Sequence, residues 1–375
     1  MMPTVVSRYI GRQVLLATSF VLLAFLGLFA FFDFLADMDR LLRPGVRFAD
    51  VAISIALGLP ARVYELAPLA ALIGSVYTLA GLASSSQFTA MRSAGLTTVT
   101  ALRIMLRTGL VIVLITVLVG EVVTPLAERA SVAMQASNPA ISKMGAPLRS
   151  GQWVRDSIYE AGQLQKVRFV NFASYQEGKG LMGLSIYEFS PENQMTQWIR
   201  ATSAVYQGDQ RWELQNVELR VFETRGDDSA VTLVAKTLTS YQWSSTLEPD
   251  LLSGLYIAPE KMSAIQLWRY QSFLTENQQN IEKVELALAK KTIYPLAVLV
   301  MMVIALPFAY LHARAGGVSV KIFIGIMLGI GFYLLNNLFS HLTVVANIAP
   351  LVSASVPSVI ALIGGLMALW WVNRV

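Results

Sequence analysis

The stretch VLLATSFVLLAFLGLFAFF, which runs from Val14 to Phe32, contains 19 residues and no charged side chain. About 20 mostly apolar residues of helix are needed to cross a hydrocarbon core roughly 30 Å thick. Similar uncharged runs extend from Leu66 to Ala83 and from Thr292 to Leu311. A fourth run, from Ile322 to Asn373, has no Asp, Glu, Lys or Arg and is long enough for two spans. These runs predict an α-helical membrane protein.

A sixth span is predicted after the second, where the uncharged run is shorter. Thr108 to Gly120 has 13 residues and is bounded by Arg107 and Glu121. The long side chains of Arg103 and Arg107 can reach back to the headgroups, which lengthens the usable segment. The topology also requires a crossing at this point. The sequence therefore predicts six spans in two groups of three.

The distribution of charge predicts the orientation of these spans. Charged residues make up 14% of the chain, against about 25% in soluble domains. Lys and Arg in short loops mark the cytoplasmic side of a membrane protein. All 24 acidic residues fall on the opposite side, so both termini are predicted to be cytoplasmic. The basic residues on the predicted inner side are Arg8, Arg12, Arg92, Arg103, Arg107, Arg314, Lys321 and Arg374.

The segment 122–291 has a different pattern and is predicted to be a separate domain outside the cytoplasm. Short runs rich in Val, Tyr, Trp and Phe, such as Trp198 to Tyr206, alternate with turn signals such as Gly226-Asp227-Asp228. Regular strands with this punctuation predict an antiparallel sandwich or barrel, with its β core at about residues 150–245. A helical pattern at about 259–291 leads the chain back to the membrane. Spans 1–3 then occupy residues 1–121, and spans 4–6 occupy residues 292–375.

The chain lacks the residues of several common chemistries. There is no cysteine, and the two histidines cannot form a zinc site by themselves. No P-loop, nucleophile elbow or metalloprotease motif occurs. We therefore predict no catalytic residue, no metal ligand and no cofactor in this chain. The net charge of +5 is explained by the loops beside the spans, so nucleic acid is not a predicted partner.

Five segments stand in a recognisable order along the chain: Ser7–Arg12 (SRYIGR), Pro60–Gly74 (PARVYELAPLAALIG), Phe88–Gly95 (FTAMRSAG), Gly120–Pro125 (GEVVTP) and Lys291–Pro295 (KTIYP). Taken in order, they resemble the LptF/LptG family of lipopolysaccharide export permeases. No single motif is diagnostic, but the ordered set with three spans on each side of a β domain is. The closer likeness is to the LptG members of the family.

The resemblance implies an inner-membrane half-transporter in a Gram-negative bacterium. Its β domain would be a periplasmic jellyroll that receives lipopolysaccharide extracted from the bilayer. The implied partners are an LptF-like permease, two copies of an LptB-like ATPase, an LptC-like bitopic protein and an LptA-like periplasmic bridge. ATP and Mg²⁺ would be bound by the ATPase and not by this chain.

A cytoplasmic helix near residues 84–97 is implied to dock in a groove of the ATPase. The family pattern leads us to expect an acidic residue where Gln87 stands. Because glutamine cannot form a salt bridge with the ATPase, the hydrophobic contacts of Phe88 and Met91 would dominate the docking. The alternative is a connecting helix that packs only on its own bundle. The residues assigned to this coupling surface are Gln87, Phe88, Met91, Arg92, Ala94 and Gly95.

Two further sets of residues are candidates for contact with the lipid. A planar guanidinium suits a phosphate group, although these arginines could instead pair with nearby carboxylates such as Asp37, Asp50 and Glu65. Asp33 departs from the family pattern, which often has a lysine there. The phosphate candidates are Arg40, Arg43, Arg47, Arg62 and Arg129. The candidates for a lateral gate and acyl cavity are Phe25, Phe31, Phe32, Phe34, Phe332, Leu335 and Phe339.

Two other functions remain open at this point. A membrane-anchored scaffold would use its β domain only to bind proteins, and its β core would be filled. A permease of another ABC family, such as one for lipoprotein release, would normally divide its spans as one plus three. The three-plus-three division disfavours that second alternative.

Overall fold

The computed structural model describes residues 2–138, 151–160, 163–176, 180–224, 231–254, 257–310, 317–346 and 348–374. Within these ranges, six helices are long and apolar enough to cross a membrane. They flank an antiparallel β domain, three before it and three after it, which confirms the predicted fold class. Arg314 and the turn Gly226–Asp228, both used in the sequence analysis, lie outside the described residues.

The helices are numbered in chain order. They are α1 Met2–Ala36, α2 Met38–Leu41, α3 Phe48–Ser84, α4 Gln87–Ser93, α5 Thr98–Leu118, α6 Thr124–Ser137, α7 Pro249–Gly254, α8 Ala264–Glu276, α9 Glu282–Ala305, α10 Val318–Ala346 and α11 Pro350–Arg374. Short 3-10 turns lie at Pro259–Lys261, between α7 and α8, and at Leu306–Ala309, directly after α9.

Two of the spanning helices, α3 and α9, form the centre of the bundle. Most of their apolar residues are buried, whereas α1, α10 and α11 expose most of theirs. Helix α1 packs along α3, α10 packs on α3 and α11, and both α5 and α11 pack on α9. Gly74 lets α1 approach closely, because a Cβ there would collide with the backbone of Thr18. The two groups of three spans are therefore one interlocked bundle.

The helix that carries the third span does not end at Glu121, where the uncharged sequence run ends. Helix α5 continues through a π-helical turn at Val119–Val123 into α6, which reaches Ser137. Pro125 has no N–H for the carbonyl of Glu121, so the α-helical hydrogen-bond pattern cannot pass this point unchanged. A π-turn is one way to absorb this interruption, and such turns are frequent at functional sites.

The β domain is one open antiparallel sheet. Its strands are β1 Gln152–Glu160, β2 Gln163–Phe172, β3 Ser174–Gln176, β4 Gly180–Phe189, β5 Met195–Gly208, β6 Arg211–Thr224 and β7 Val231–Ser244. They pair in the order β1-β2-β4-β5-β6-β7, with β3 beside β4, so β1 and β7 stand at the two ends of the path. The expected antiparallel domain is present, but the sheet is not closed into a barrel by a backbone ladder between its described end strands.

One face of this sheet is buried against the helices that lead back to the membrane. Val170, Ile186 and Leu214 on the sheet belong to the same hydrophobic cluster as Leu267 and Phe273 on α8. The N-terminus of α8 is fixed by a capping box, in which Ser263 Oγ accepts from Gln266 N at 3.2 Å and Gln266 Oε1 accepts from Ser263 N at 2.9 Å. The amphipathic helix α8 thus completes the core of the β domain.

Candidate functional site

Four chain segments meet at the ends of the predicted uncharged runs, on the side of the β domain, here called the β side. The Lys291 ammonium on α9 donates to the Gly120 carbonyl at 2.8 Å and pairs with Glu121 Oε1 at 3.2 Å. The same ammonium lies 5.0 Å from the ring centroid of Tyr64 on α3. Glu121 Oε2 accepts from the backbone N–H of Ala264, the first residue of α8, at 2.8 Å. We call these residues the joint.

The joint is tightly packed. The side chain of Lys291 is only 4% exposed, and Tyr64 donates its hydroxyl proton to the Lys291 carbonyl at 3.3 Å. A Cβ at Gly120 would overlap the Tyr64 ring, so only glycine fits there without rearrangement. Glu121 places a negative charge at the N-terminus of α8, where the helix dipole favours it. The joint therefore connects the middle of α3, at Tyr64, and the turn after α5 to the base of the β domain.

A charged cavity of about 360 Å³ lies beside the joint, at the same level. Its walls come from α1, α3, α9 and α10 and from the 3-10 turn before α8. Glu65 accepts from the Tyr333 hydroxyl at 3.1 Å, which ties α3 to α10. The principal polar groups around the cavity are Asp33, Arg62, Glu65, Glu260, Lys261, Lys290, Lys291, Tyr333, Asn336 and Asn337. Such a mixture of fixed charges at a membrane boundary can bind a zwitterionic or phosphorylated headgroup.

The candidate arginines Arg40, Arg47 and Arg62 are paired with carboxylates of this chain. Arg40 pairs with Asp37 at 2.7 Å, and Arg47 pairs with Asp50 at 3.3 Å. Arg62 lies 3.3 Å from Asp33 and 3.7 Å from Glu65, and its guanidinium stands 4.9 Å from the centre of the Phe29 ring. Of the five, only Arg62 lines the charged cavity. Arg43 and Arg129 are exposed, and Arg129 lines a different cavity between α6 and α8.

A short helix, α4, lies within the segment that is predicted to contact the ATPase. Some side chains of this segment are buried against the bundle, and others are exposed. Phe88 is 2% exposed and packs edge-on against Tyr310, at 5.1 Å between ring centroids. Met91 is half-buried against the same cluster, and the Arg92 guanidinium lies 5.0 Å from the Tyr310 ring centroid. Gln87, Arg92, Ala94 and Gly95 are exposed. Phe88 thus holds α4 on the bundle, while the other four residues stay accessible, and Gln87 accepts a hydrogen bond from the Tyr9 hydroxyl at 3.2 Å.

The candidate gate residues lie on two helices that flank α3. Phe31 and Phe32 on α1 are more than half exposed, whereas Phe332 on α10 is buried. Phe34 packs on Phe48 at 5.8 Å between ring centroids, and Phe25, Leu335 and Phe339 are half-buried. Helices α1 and α10 both pack on α3, and Phe332 belongs to the buried core of the bundle.

A second group of charged residues is buried inside the β domain. Arg168 on β2 donates to Glu188 on β4 at 2.8 Å and to the Ser244 carbonyl at the end of β7 at 2.6 Å. Asp156 on β1 is fully buried and accepts from Ser245 Oγ at 2.7 Å. Side chains therefore bring the β1 end of the open sheet to the end of β7.

Burial of Glu188 opposes its ionisation, but hydrogen bonds from Lys166 and Arg168 more than offset this effect. The pKa of Glu188 consequently lies below its ordinary value. The charge on Glu188 is thus part of the folded state at neutral pH.

Sequence reasoning missed most of the residues that line the charged cavity. Lys291 and Tyr64 lie within quoted motifs but had no assigned role, and Lys290, Lys261 and Tyr333 were not singled out. The available signal was that charged residues on four separate segments stand at predicted span ends, which places them at one depth in the membrane. The sequence does not show which of these residues lie side by side at that depth.

These features define the class of protein: a multi-pass helical membrane protein with an inserted β domain and a charged cavity beneath it. A family model described as "Lipopolysaccharide export system permease LptF/LptG" matches residues 8–371, so the chain belongs to the LptF/LptG permease family. The resemblance found in the sequence is confirmed.

Curated relatives agree with this assignment. The chain is 27% identical over 368 residues to "Lipopolysaccharide export system permease protein LptG" of Haemophilus influenzae, covering 97% of this chain and 96% of that protein. It is 29% identical over 388 residues to the protein of the same name from Escherichia coli K12, covering 99% of this chain and 98% of that protein. The similarity therefore extends over the spans and the β domain alike.

Proposed function

We propose that this chain is a permease subunit of an ATP-driven exporter that extracts lipopolysaccharide from the inner membrane and passes it through the β domain. The observation that carries the proposal is the charged cavity at the membrane boundary, directly beside the base of the β domain. Fixed charges at headgroup depth suit a phosphorylated lipid, and a β domain with an apolar interior suits its acyl chains. Membership of the LptF/LptG family supports the same function.

The physical chemistry of the substrate requires an external energy source. Burial of an acyl chain contributes about 0.8 kcal/mol per CH₂, so one chain of about twelve carbons is held by roughly 10 kcal/mol. A lipid with several chains does not leave the bilayer thermally on a useful timescale. The exporter therefore needs an ATPase, and we propose two copies of an LptB-like subunit, with an LptF-like permease, an LptC-like bitopic protein and an LptA-like bridge as further partners.

The joint offers a route by which ATP hydrolysis could act on the β domain. Helix α4 connects α3 to α5, so a force on α4 moves both helices. Tyr64, near the middle of α3, and Gly120 and Glu121, in the π-helical turn after α5, belong to the joint, and Glu121 is bonded to α8. In this mechanism Gln87, Arg92, Ala94 and Gly95 contact the ATPase, and Phe88 transmits the force into the bundle.

The proposed orientation has both termini and α4 in the cytoplasm and the β domain in the periplasm. Because the chain has no cysteine, the orientation can be measured with single-cysteine variants. Thr202→Cys on the outer face of β5 should react with a membrane-impermeant maleimide in intact spheroplasts, and Ser86→Cys beside α4 should react only after lysis. The reverse pattern would contradict the orientation.

The transport function is tested by depletion of the protein in a Gram-negative host. Lipopolysaccharide is expected to accumulate in the inner membrane, and a plasmid copy of the gene should restore delivery to the surface. Co-purification should recover a stable complex whose ATPase activity is absent from this chain alone. Normal surface lipopolysaccharide in depleted cells would exclude the proposal.

One observation favours a second function, that of a membrane-anchored scaffold. The interior of the β domain contains the fully buried side chains of Trp212 and Trp243, together with residues of α8. The two functions are distinguished by a photo-crosslinking amino acid at Leu238, which faces this cluster. Crosslinks to lipopolysaccharide that depend on ATP support transport, whereas crosslinks to protein only support a scaffold; Thr202 on the opposite face is the control position.

A further inference from the structure

Helix α8 begins at the membrane boundary. Its first residue, Ala264, donates its backbone N–H to Glu121 Oε2 at 2.8 Å. Glu121 ends the uncharged run of the third span, and its partner Lys291 immediately precedes the uncharged run of the fourth. Two independent spans therefore place the N-terminus of α8 at the edge of the hydrocarbon core on the β side.

The start of α8 cannot leave the headgroup region within its first turn. The headgroup zone is about 5 to 8 Å thick on each side, from a bilayer of about 40–45 Å with a core of about 30 Å. A helix rises about 1.5 Å per residue, so residue 268 lies at most about 6 Å beyond residue 264, whatever the tilt of the helix. Ile265 and Trp268 are thus within the interfacial zone.

Both of these side chains lie outside the buried core of the β domain. Ile265 is 66% exposed and Trp268 is 64% exposed, whereas Leu267, Phe273 and Leu274 on the same helix are buried in the β core. Residues three apart share one face of a helix, so Ile265 and Trp268 form an exposed apolar strip. Arg269 lies next to this strip in the sequence.

The exposed strip is continuous with the lipid-facing surface of the third span. Val122 and Leu126, which follow the apolar face of α5, are 47% and 60% exposed. Together with Ile265, Trp268, Arg129 and Arg269, they line a cavity of about 690 Å³ between α6, α8 and the β domain, which Glu121, Glu248 and Glu276 also line. Leu114 and Leu118 extend the same exposed surface along α5 into the hydrocarbon region.

We propose that the first two turns of α8 are an interfacial anchor, with Ile265 and Trp268 inserted among the lipids of the adjacent leaflet. Tryptophan is enriched at this depth because its ring is apolar and its N–H is polar. Arg129 and Arg269 flank the apolar groups and suit the phosphates of the same lipids. The anchor holds the base of the β domain to the bilayer on the α5 side. It depends on the membrane fold and not on the proposed transport function.

The proposal is tested by spin labelling of the full complex reconstituted in nanodiscs of phosphatidylethanolamine and phosphatidylglycerol. The absence of cysteine allows single labels at Ile265→Cys and Trp268→Cys, with Thr275→Cys, an exposed position near the far end of α8, as the matched control. Labels at 265 and 268 should collide with oxygen, which partitions into lipid, and be protected from a water-soluble nickel reagent. The label at 275 should show the opposite preference.

Each alternative outcome overturns the anchor. Access of the nickel reagent to positions 265 and 268 would show that the strip faces water. Protection from both reagents would show that a protein covers it. If a cysteine variant does not assemble, shallow brominated lipids replace the labels: they should quench part of the wild-type tryptophan fluorescence, and Trp268→Phe should lose a measurable share of that quenching. Equal quenching in both proteins would exclude the proposal.

Discussion

Gly120 shows how one residue fixes the approach of two helices. Any larger side chain would overlap the ring of Tyr64, which itself packs on Lys291. Gly120→Ala is expected to destabilise the protein by about 1–3 kcal/mol, the usual cost of overpacking a well-packed site. Gly364→Ala in α11 is the control, because a Cβ there meets nothing within 4 Å. Thermal unfolding in detergent should separate the two, and equal melting temperatures would contradict this account.

Among the cations at the predicted membrane boundary, Lys291 is expected to cost the most stability when it is replaced. Lys291→Met removes the ion pair with Glu121 and the donor to the Gly120 carbonyl, which are almost fully buried on the lysine side. We expect a loss of about 2–4 kcal/mol, somewhat below the cost of breaking a fully buried pair because Glu121 is 28% exposed.

Lys261→Met is the matched comparison for Lys291→Met. Lys261 pairs with Glu128 at the shorter distance of 2.6 Å, but its side chain is 41% exposed. Solvent screening should limit its contribution to about 1 kcal/mol or less. Thermal unfolding measures both variants, and a larger effect at Lys261 would show that distance matters here more than burial.

At the scale of elements, Phe88 decides whether α4 stays on the bundle. Its ring is buried against Tyr310, and removal of a buried phenylalanine ring commonly costs about 3–5 kcal/mol. Phe88→Ala should therefore lower the melting temperature clearly, whereas the exposed Gln87→Ala should not. If α4 contacts the ATPase, Gln87→Ala and Arg92→Ala should instead weaken co-purification of the ATPase at unchanged stability.

Glu188 makes a pH-dependent contribution to the stability of the β domain. Because the folded-state pKa of Glu188 lies below its ordinary value, ionisation of Glu188 stabilises the fold at pH values above the unfolded pKa. This contribution is lost as the pH falls through the folded pKa. Glu188→Gln should be less stable than the wild type at pH 7, and the difference should shrink in acid. Melting curves from pH 7 to 3 test this, with the half-buried Glu213→Gln on β6 as the control.

The third span shows what sequence patterns could and could not predict about an element. A 13-residue run between Arg107 and Glu121, together with the topology, predicted a crossing, but the run does not mark the end of the helix. Glu121 is tolerated inside a continuous helix because Lys291, 170 positions later, supplies the opposite charge. Similarly, the sequence assigned Phe88 and Met91 to a coupling surface, but it could not show that Phe88 packs against Tyr310 of this chain.

At the scale of the whole molecule, disruption of the joint is expected to uncouple ATP hydrolysis from the release of lipopolysaccharide. The double variant Glu121→Gln with Lys291→Met should still assemble with the ATPase, since neither residue lies near α4. ATP hydrolysis by the purified complex is expected to continue, while release of lipopolysaccharide to a soluble acceptor should fall at least several-fold. Parallel loss of both activities would assign the joint to folding, and unchanged release would remove it from the mechanism.

The sequence by itself determined which segments enter the membrane and which alternate as strands. Both properties follow from the free energy of transferring side chains and backbone out of water. This free energy depends on the residues of the segment itself and not on which segments lie beside it. Only the tertiary structure decided which charges are paired and where the cavity lies. Arg62 meets Asp33 across 29 positions, and Glu121 meets both Lys291 and Ala264. These contacts depend on how distant helix ends are brought side by side, and no local pattern encodes that arrangement.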